Sequence, residues 1–292
     1  MKVNYPGIEK DGLGIYIIDD QAGTGRSIGS VEDYPYAYVT FTVRDLDGNI
    51  TETTDIKTAQ QVGTYDEGTY YGPKTIFRNP AYLSAGVEDM LGTMKIGGTR
   101  TAVIPGWLDT KKRYDSEEGY LKNETGEDYI YTLTLHDSYP DIVKYQIDSI
   151  ENYLVHNFKS PVDSTMYGYY YIQTQAPSDD TEFKASEKVY VNYTGRLLNG
   201  QIFDTSDEKT AKEARIYSSG KEYEPLSVEI KEDYKDMSTV QGFSYCVSKM
   251  KKGEKGICIF YSTLGYGSTD KSSIPSYSPL RFDIEMLGKE KK

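Results

Sequence analysis

Two stretches in the second half of the chain alternate between apolar and more polar positions. Val189, Val191 and Tyr193 occupy every second position, and the same period of two runs through residues 280–286. That period predicts half-buried β-strands, because successive side chains of a strand point to opposite faces. Asn199-Gly200 follows the first stretch and predicts a tight hairpin turn into the next strand.

A helical period lies between these two stretches. Four apolar residues recur at steps of three and four, which places them on one face of a helix: Phe243, Cys246, Val247 and Met250. Lysines gather at the end of this run, where cations suit the negative end of a helix, and Gly253 is the predicted C-cap. An apolar run at 257–261 predicts another strand. The order favours an α+β fold in which an antiparallel sheet curls over one short helix.

The first half of the chain repeats this pattern weakly. Three blocks resemble three later blocks in the same order, at offsets between 152 and 156 residues. The pairs are GIYIIDDQAG (14–23) with GYYYIQTQAP (168–177), YVTFTVRDLDGNI (38–50) with YVNYTGRLLNGQI (190–202), and AGVEDMLGTMKIGG (85–98) with QGFSYCVSKMKKGE (241–254). A shared order at almost one spacing predicts two copies of one domain.

The segment between the copies has a helical stripe of its own, bracketed by Pro140 and Pro161. Its apolar residues are Val143, Ile147, Ile150, Leu154 and Phe158. This pattern predicts a helix that joins the domains and packs on one of them, and a helix that binds a partner or a second copy is the alternative. The predicted organisation is a first domain at 8–138, a helical linker at 139–164 and a second domain at 165–292.

The charge of the chain argues against several classes of partner. Lys and Arg number 33 against 45 Asp and Glu, and the resulting net charge of −12 repels phosphate backbones and anionic headgroups. Nucleic acid is therefore not an expected partner. No apolar run approaches the roughly 18 residues that span a bilayer, so no membrane-spanning helix is expected.

Few residues are available for metal or nucleophilic chemistry. Cys246 and Cys258 are too few for a disulfide framework and are interpreted as small buried apolar residues. His136 and His156 lie apart from the cysteines, so neither a structural zinc site nor a histidine-based triad is expected. No metal and no cofactor are predicted. The 29 tyrosines are typical of β-structure, and an aromatic recognition surface is the alternative.

Five blocks of the second copy follow one another in an order typical of a known family. They are VYVNYTGRLLNGQIFDTS (189–206), VQGFSYCVSKMKKGE (240–254), LGYG (264–267), IP (274–275) and LRFDIEML (280–287). Together they resemble the FKBP-type peptidyl-prolyl cis/trans isomerases, over most of residues 165–288. The resemblance implies a half-open antiparallel sheet wrapped on a short helix, with a proline-binding pocket between the helix and the concave face.

The resemblance also implies which residues line that pocket. The residues that match family positions are Tyr193, Phe203, Asp204, Val240, Phe243, Tyr266, Ile274 and Phe282. Phe243 would form the floor under the proline ring, and Tyr193, Phe203 and Phe282 its walls, completed by Ile274. The Val240 amide and the Tyr266 hydroxyl would hold the flanking carbonyls, while Asp204 orients the polar edge. Phe243 stands where the family commonly has tryptophan, which implies a smaller floor.

Each of these residues also has a plainer interpretation. Tyr193, Ile274 and Phe282 are compatible with an ordinary sheet core, and Asp204 with a turn. The joint pattern favours the pocket. Residues 207–238 exceed the minimal connection of the family, and this insertion either shapes access to the pocket or is a surface excursion.

The first copy departs from the family at most pocket positions. Phe41 replaces the first tyrosine, Thr51-Glu52 replaces Phe-Asp, and Val87 replaces the aromatic floor. No GYG-like turn follows Trp107, while Tyr131 matches the late phenylalanine. Catalysis is not expected there. A scaffold or substrate-holding role is the hypothesis, with bare structural support as the alternative.

Two classes of function follow from the resemblance. The first is an isomerase that acts on X–Pro bonds of unfolded or exported polypeptides, with macrolide inhibitors as a second class of ligand. The alternative is a non-catalytic chaperone or binding module. Tandem, tyrosine-rich chains of this family resemble exported lipoproteins of Bacteroidetes, which implies a cell-envelope location. A lipidated cysteine upstream of Met1 would then be the one contact with a membrane.

Overall fold

The computed structural model describes residues 8–122, 124–158 and 164–290. The chain divides into two compact units. The first comprises the residues up to Asp66 together with Tyr70–Ile142, and the second comprises Glu67–Thr69 together with Val143 onward. The last part of the predicted linker, including Pro161, lies outside the described residues, as do residues 291 and 292 at the end of the predicted second domain.

The first unit contains six strands and three helices among the described residues. Its strands are β1 (Tyr16–Gln21), β2 (Tyr36–Arg44), β3 (Ile50–Thr53), β4 (Lys74–Phe77), β5 (Thr99–Ile104) and β6 (Tyr129–Tyr139). Its helices are α1 (Ile56–Val62), α2 (Ala85–Gly92) and α3 (Glu117–Leu121). The sheet order is β1-β5-β6-β2-β3, and β4 pairs with β2. Every pairing is antiparallel.

The second unit contains seven strands and three α-helices among the described residues. The strands are β7 (Ser164–Met166), β8 (Tyr169–Gln175), β9 (Lys188–Leu197), β10 (Ile202–Thr205), β11 (Leu226–Glu229), β12 (Lys255–Phe260) and β13 (Leu280–Gly288). The helices are α4 (Ile142–Asn157), α5 (Glu208–Glu213) and α6 (Gln241–Lys249), with 3-10 turns at Tyr234–Asp236 and Ser262–Leu264. The sheet order is β10-β9-β13-β12-β8-β7, and β11 pairs with β9.

The two sheets share one topology. If β7 is set aside, the second order reads β8-β12-β13-β9-β10, which is the first order with each strand replaced by its counterpart. The side strand matches too, because β4 pairs with β2 as β11 pairs with β9. The predicted α+β fold with two copies of a curled antiparallel sheet and a short helix is confirmed.

In each unit a short helix, α2 or α6, packs closely on the sheet, and a glycine of that helix permits the close contact. A Cβ atom on Gly242 of α6 would lie 2.4 Å from the Phe260 ring, and one on Gly86 of α2 would lie 2.3 Å from Ile104. The apolar face of each helix is buried, as Phe243 is in the second unit. Both cores therefore form between the helix and one face of its sheet.

The helix predicted between the copies is α4, and it packs on the second unit. Ile150 and Leu154 join a buried cluster with Tyr170, Ile257 and Ile259 from β8 and β12. This contact buries Ile150 and Leu154 of the predicted apolar stripe on the face of the sheet opposite to α6.

The C-cap prediction for α6 is wrong. The helix ends at Lys249, and Met250 is its cap in an extended conformation, with ψ at 146°. Met250 is 3% exposed, so the chain leaves the helix where this side chain enters the core. Gly253 has a φ of 76° and serves the turn before β12 instead, where its amide donates to the Met286 carbonyl.

Candidate functional site

Aromatic side chains from four elements of the second unit meet between α6 and the sheet. We call Tyr193 of β9, Phe203 of β10, Phe243 of α6 and Phe282 of β13 the ring cluster. The rings of Phe243 and Phe282 are 5.1 Å apart, and Tyr193 lies 5.7 Å from Phe243. Phe203 lies 5.5 Å from Phe282. These edge-to-face distances are those of favourable aromatic pairs.

Solvent exposure differs among the rings of the ring cluster. Phe243 and Phe282 are 3% and 5% exposed, whereas Tyr193 and Phe203 are half-buried. Phe260 stacks on Phe282 at 5.8 Å from the core side. The sheet thus presents an apolar floor with two rings that reach solvent, which is the arrangement expected of a half-open pocket.

One glycine makes room for two of these rings. Gly195 pairs with Phe282 across the β9–β13 ladder, and Phe203 lies at a bulge in the β9–β10 ladder opposite the same glycine. A Cβ atom on Gly195 would lie 2.5 Å from the Phe203 ring and 2.9 Å from the Phe282 ring. Any larger residue would displace Phe203 from the ring cluster.

A carboxylate and a lysine form the polar edge of the ring cluster. The Tyr193 hydroxyl donates a hydrogen bond of 2.7 Å to Asp204, and Lys221 makes a short contact with the other oxygen of Asp204. Lys221 also donates to the Thr205 carbonyl at 2.8 Å and lies 5.9 Å from the centre of the Tyr193 ring. Burial, and then the bond to Asp204, raise the pKa of Tyr193. The phenol therefore stays protonated and Asp204 is held in place.

Tyr266 and Ile274 lie in the connection between β12 and β13. Burial, followed by the negative charge of Asp204, raises the pKa of Tyr266, so its hydroxyl stays protonated at neutral pH. Lys271 lies 4.5 Å from the centre of the Tyr266 ring, and its amide donates to the Ile274 carbonyl at 2.9 Å. Ile274 is 3% exposed. Both tyrosine hydroxyls can therefore act as donors at neutral pH.

Val240 occupies the N-cap of α6, three residues before Phe243. A valine cap has no side-chain oxygen, and α6 begins without a side-chain capping bond. The first amide groups of a helix have no partner within it, so this end of α6 has donors to offer. Within the described parts of the chain, no carbonyl or side chain accepts from the Val240 amide.

Sequence reasoning missed three contributors to this site. Lys221 lies in the 207–238 insertion and no motif marks it, although it is the cation that contacts Asp204. Gly195 lies within the YTG block, where its role depends on a bulge that the sequence does not reveal. Phe260 belongs to the apolar run at 257–261, a signal for a strand but not for a ring stack.

Other classes of site find no support in the described residues. No group of three or more His, Cys, Asp or Glu side chains among them is arranged to hold a metal ion. None of the helices described is both long and apolar enough to cross a membrane. Cys246 and Cys258 are free and buried.

Comparison with known proteins points to one family for the second unit. Residues 179–287 match the family model of the FKBP-type peptidyl-prolyl cis-trans isomerases. A probable FKBP-type peptidyl-prolyl cis-trans isomerase of Haemophilus influenzae is 31% identical over 127 residues, which is 43% of this chain and 44% of the relative. The isomerase FkpA of Escherichia coli is 33% identical over 104 residues, or 36% of this chain and 32% of the relative.

Among solved structures, FkpA from Escherichia coli is similar at 27% identity with a TM-score of 0.37, covering 50% of this chain and 61% of that one. The chain spans less than half the length of both of these curated relatives.

Proposed function

We propose that the second unit, a member of the FKBP-type peptidyl-prolyl cis-trans isomerase family over residues 179–287, catalyses rotation about X–Pro bonds. The observation that carries the proposal is the ring cluster with its polar edge. Tyr193 contributes to both, because its ring packs on Phe243 while its hydroxyl bonds Asp204. Such a site binds an apolar ring and orients the amide beside it.

The reaction needs no nucleophile, acid or base. Rotation of the amide crosses a barrier of about 18–20 kcal/mol because resonance is lost at the twisted geometry. The planar amide is the more dipolar state, so an apolar slot that excludes water disfavours it relative to the twisted one. Phe243 and Phe282 supply that slot, and Phe203 covers one side of it.

Hydrogen bonds would hold the peptide on either side of the proline. The Val240 amide at the start of α6 donates to one carbonyl, and the Tyr266 hydroxyl donates to another. Asp204 stays fixed between Tyr193 and Lys221 and keeps the wall in position. Confining the peptide in a turned conformation lowers the entropy cost of reaching the twisted amide.

The substrates of this proposal are unfolded or exported polypeptides that contain proline, and macrolides would compete for the same slot. A cell-envelope location, with attachment through a lipidated cysteine, suits an enzyme that acts on exported chains, since prolyl isomerisation takes tens of seconds unaided. A non-catalytic binding module is the second candidate, favoured by the phenylalanine at the floor position.

The test is a proline-peptide isomerisation assay on the wild type and Phe203→Ala. Truncation removes one wall, so kcat/KM should fall by about tenfold or more, the equivalent of 1.4 kcal/mol. Phe77→Ala is the matched control, because Phe77 is a half-buried ring of the first unit that stacks on Tyr36. A wild type that does not exceed the uncatalysed rate would favour the binding module.

A further inference from the structure

The first unit has a pocket at the position that corresponds to the ring cluster. It has a volume of about 270 Å³, and we call it the first-unit pocket. Its apolar lining includes Phe41, Ile76, Val87 and Leu133, and its polar lining includes Asp109 and Tyr131. Pockets for drug-sized ligands have about 300–1,000 Å³, so this one suits a single side chain.

Strand register explains why this pocket is open. Tyr131 pairs with Val43 as Phe282 pairs with Gly195, so Tyr131 is the counterpart of Phe282. Val43 occupies the place of the glycine that admits the Phe203 ring. In the first unit a threonine stands at the corresponding bulge, and Val87 replaces the floor ring. Two rings are thus absent and their space is free.

A carboxyl group lies at the polar centre of the first-unit pocket. Both oxygens of Asp109 accept from the Tyr131 hydroxyl at 3.0 Å, and the Ser84 hydroxyl also bonds this carboxyl. Burial raises the pKa of Asp109 to about 6, so the group is ionised at neutral pH. Over the described ranges of the chain, Asp109 takes part in no ion pair.

The charges around the first-unit pocket favour a cation. Glu52 and Asp109 both line it, against one base, Lys111. Hydroxyl groups satisfy part of the hydrogen-bonding capacity of Asp109, but neither of them neutralises its charge. A carboxylate that has lost its water forms its strongest hydrogen bonds with a charged donor. The net charge of −12 also attracts basic ligands over a longer range.

We propose that the first-unit pocket binds a lysine or arginine side chain of an extended polypeptide. The aliphatic stem would lie on Val87, Leu133 and Ile76, and the charged head would pair with Asp109. Lysine and arginine bury such stems along apolar surfaces and keep the charged head group in a polar environment. The first unit would then hold a polypeptide by its basic residues, a role separate from the isomerase reaction and independent of it.

Binding of proline-free peptides to the full chain tests this proposal. The probe is a fluorescein-labelled heptapeptide with one central lysine, and its partner has norleucine, which keeps the stem and lacks the charge. The wild type should bind the lysine peptide about tenfold or more tightly. Asp109→Asn keeps the acceptor for Tyr131 and should abolish the difference. Asp47→Asn, an exposed aspartate of the β2–β3 turn, makes the same charge change and should preserve it.

Two further readouts keep the interpretation clear. Val87→Phe refills the floor and should weaken the binding of both peptides, while isomerase activity stays that of the wild type in every variant. Equal affinity for the lysine and norleucine peptides would overturn the proposal. So would an Asp109→Asn variant that keeps the preference, or a wild type that binds neither peptide at millimolar concentration.

Discussion

The two units share one scaffold and differ in what fills its concave face. Both have the same strand order and a glycine where the helix meets the sheet. At the site they diverge: the second unit has Gly195 and Phe243, where the first has Val43 and Val87. One scaffold therefore supports a half-open aromatic site in one copy and an acidic pocket in the other.

The N-termini of α2 and α6 also differ between the two units. Ser84 caps α2 by accepting from the Val87 amide, whereas Val240 leaves the start of α6 without such a bond. In the first unit a side chain thus accepts from the Val87 amide, and in the second the corresponding Phe243 amide has no such side-chain bond. A few side-chain exchanges, with no change of topology, are therefore enough to change the chemistry of the site.

Substitution of Gly195 is expected to have the largest effect on activity. Gly195→Val gives the second unit the valine of the first, and its side chain would overlap Phe203 and Phe282. We expect kcat/KM for a proline peptide to fall on the order of 100-fold, or about 2.7 kcal/mol. The reciprocal Val43→Gly should leave activity unchanged. Retained activity in Gly195→Val, with circular dichroism showing a folded chain, would contradict the role given to this glycine.

Lys221 offers a milder test, because it contacts Asp204 from the insertion. Lys221→Met keeps the aliphatic stem but removes the charge, so Asp204 loses its cation. The pair is partly exposed, which limits it to about 1 kcal/mol, and kcat/KM should fall by about two- to fivefold. The loss should be greatest for substrates with glutamate before proline, measured across a peptide series.

Lys235→Met is the matched control for Lys221, since Lys235 also lies near a tyrosine ring of the insertion. An equal loss in both variants would show that the insertion acts only through its general charge.

The smallest expected effect concerns the stability of the first unit. The folded-state pKa of Asp109 is raised to about 6, so folding favours the protonated form, and this contribution to stability is lost as pH rises from about 4 through 6. Asp109→Asn should remove that part of the pH dependence of stability and raise the thermal unfolding midpoint, Tm, at pH 8. The single tryptophan, Trp107, lies in the first unit and reports its unfolding.

Both the wild type and Asp109→Asn should show a further dependence of stability near pH 7, because burial and the neighbouring Asp11 raise the pKa of Asp89 to about 7. A midpoint difference between wild type and Asp109→Asn that does not change with pH would contradict the prediction for Asp109.

The sequence was sufficient to predict the scaffold, because its signals are periodic. The alternation at 189–193 lies in β9, and the helical run at 243–250 overlaps α6. Two of the repeated pairs of blocks correspond to matching strands, and the third corresponds to the helices α2 and α6. Family motifs also indicated side chains that the structure brings together, such as Phe203 and Phe282. Their roles in catalysis remain predictions.

What the sequence did not reveal depends on contacts between distant segments. Lys221 reaches Asp204 only because the insertion folds back, and no local pattern marks that path. Asp109 has no counterpart motif, and its significance comes from the Tyr131 hydroxyl and the missing rings around it. The Gly253 prediction was wrong because burial of Met250, a tertiary contact, decided where the helix ends.

The most direct measurement of the central claim is NMR exchange spectroscopy of a proline peptide mixed with a small fraction of the full chain. The account predicts cis/trans exchange cross-peaks that are absent without protein, together with a shifted Val240 amide when the protein is observed. Exchange no faster than that of the free peptide, or a bound peptide that leaves the Val240 amide and the Phe282 ring unperturbed, would contradict it.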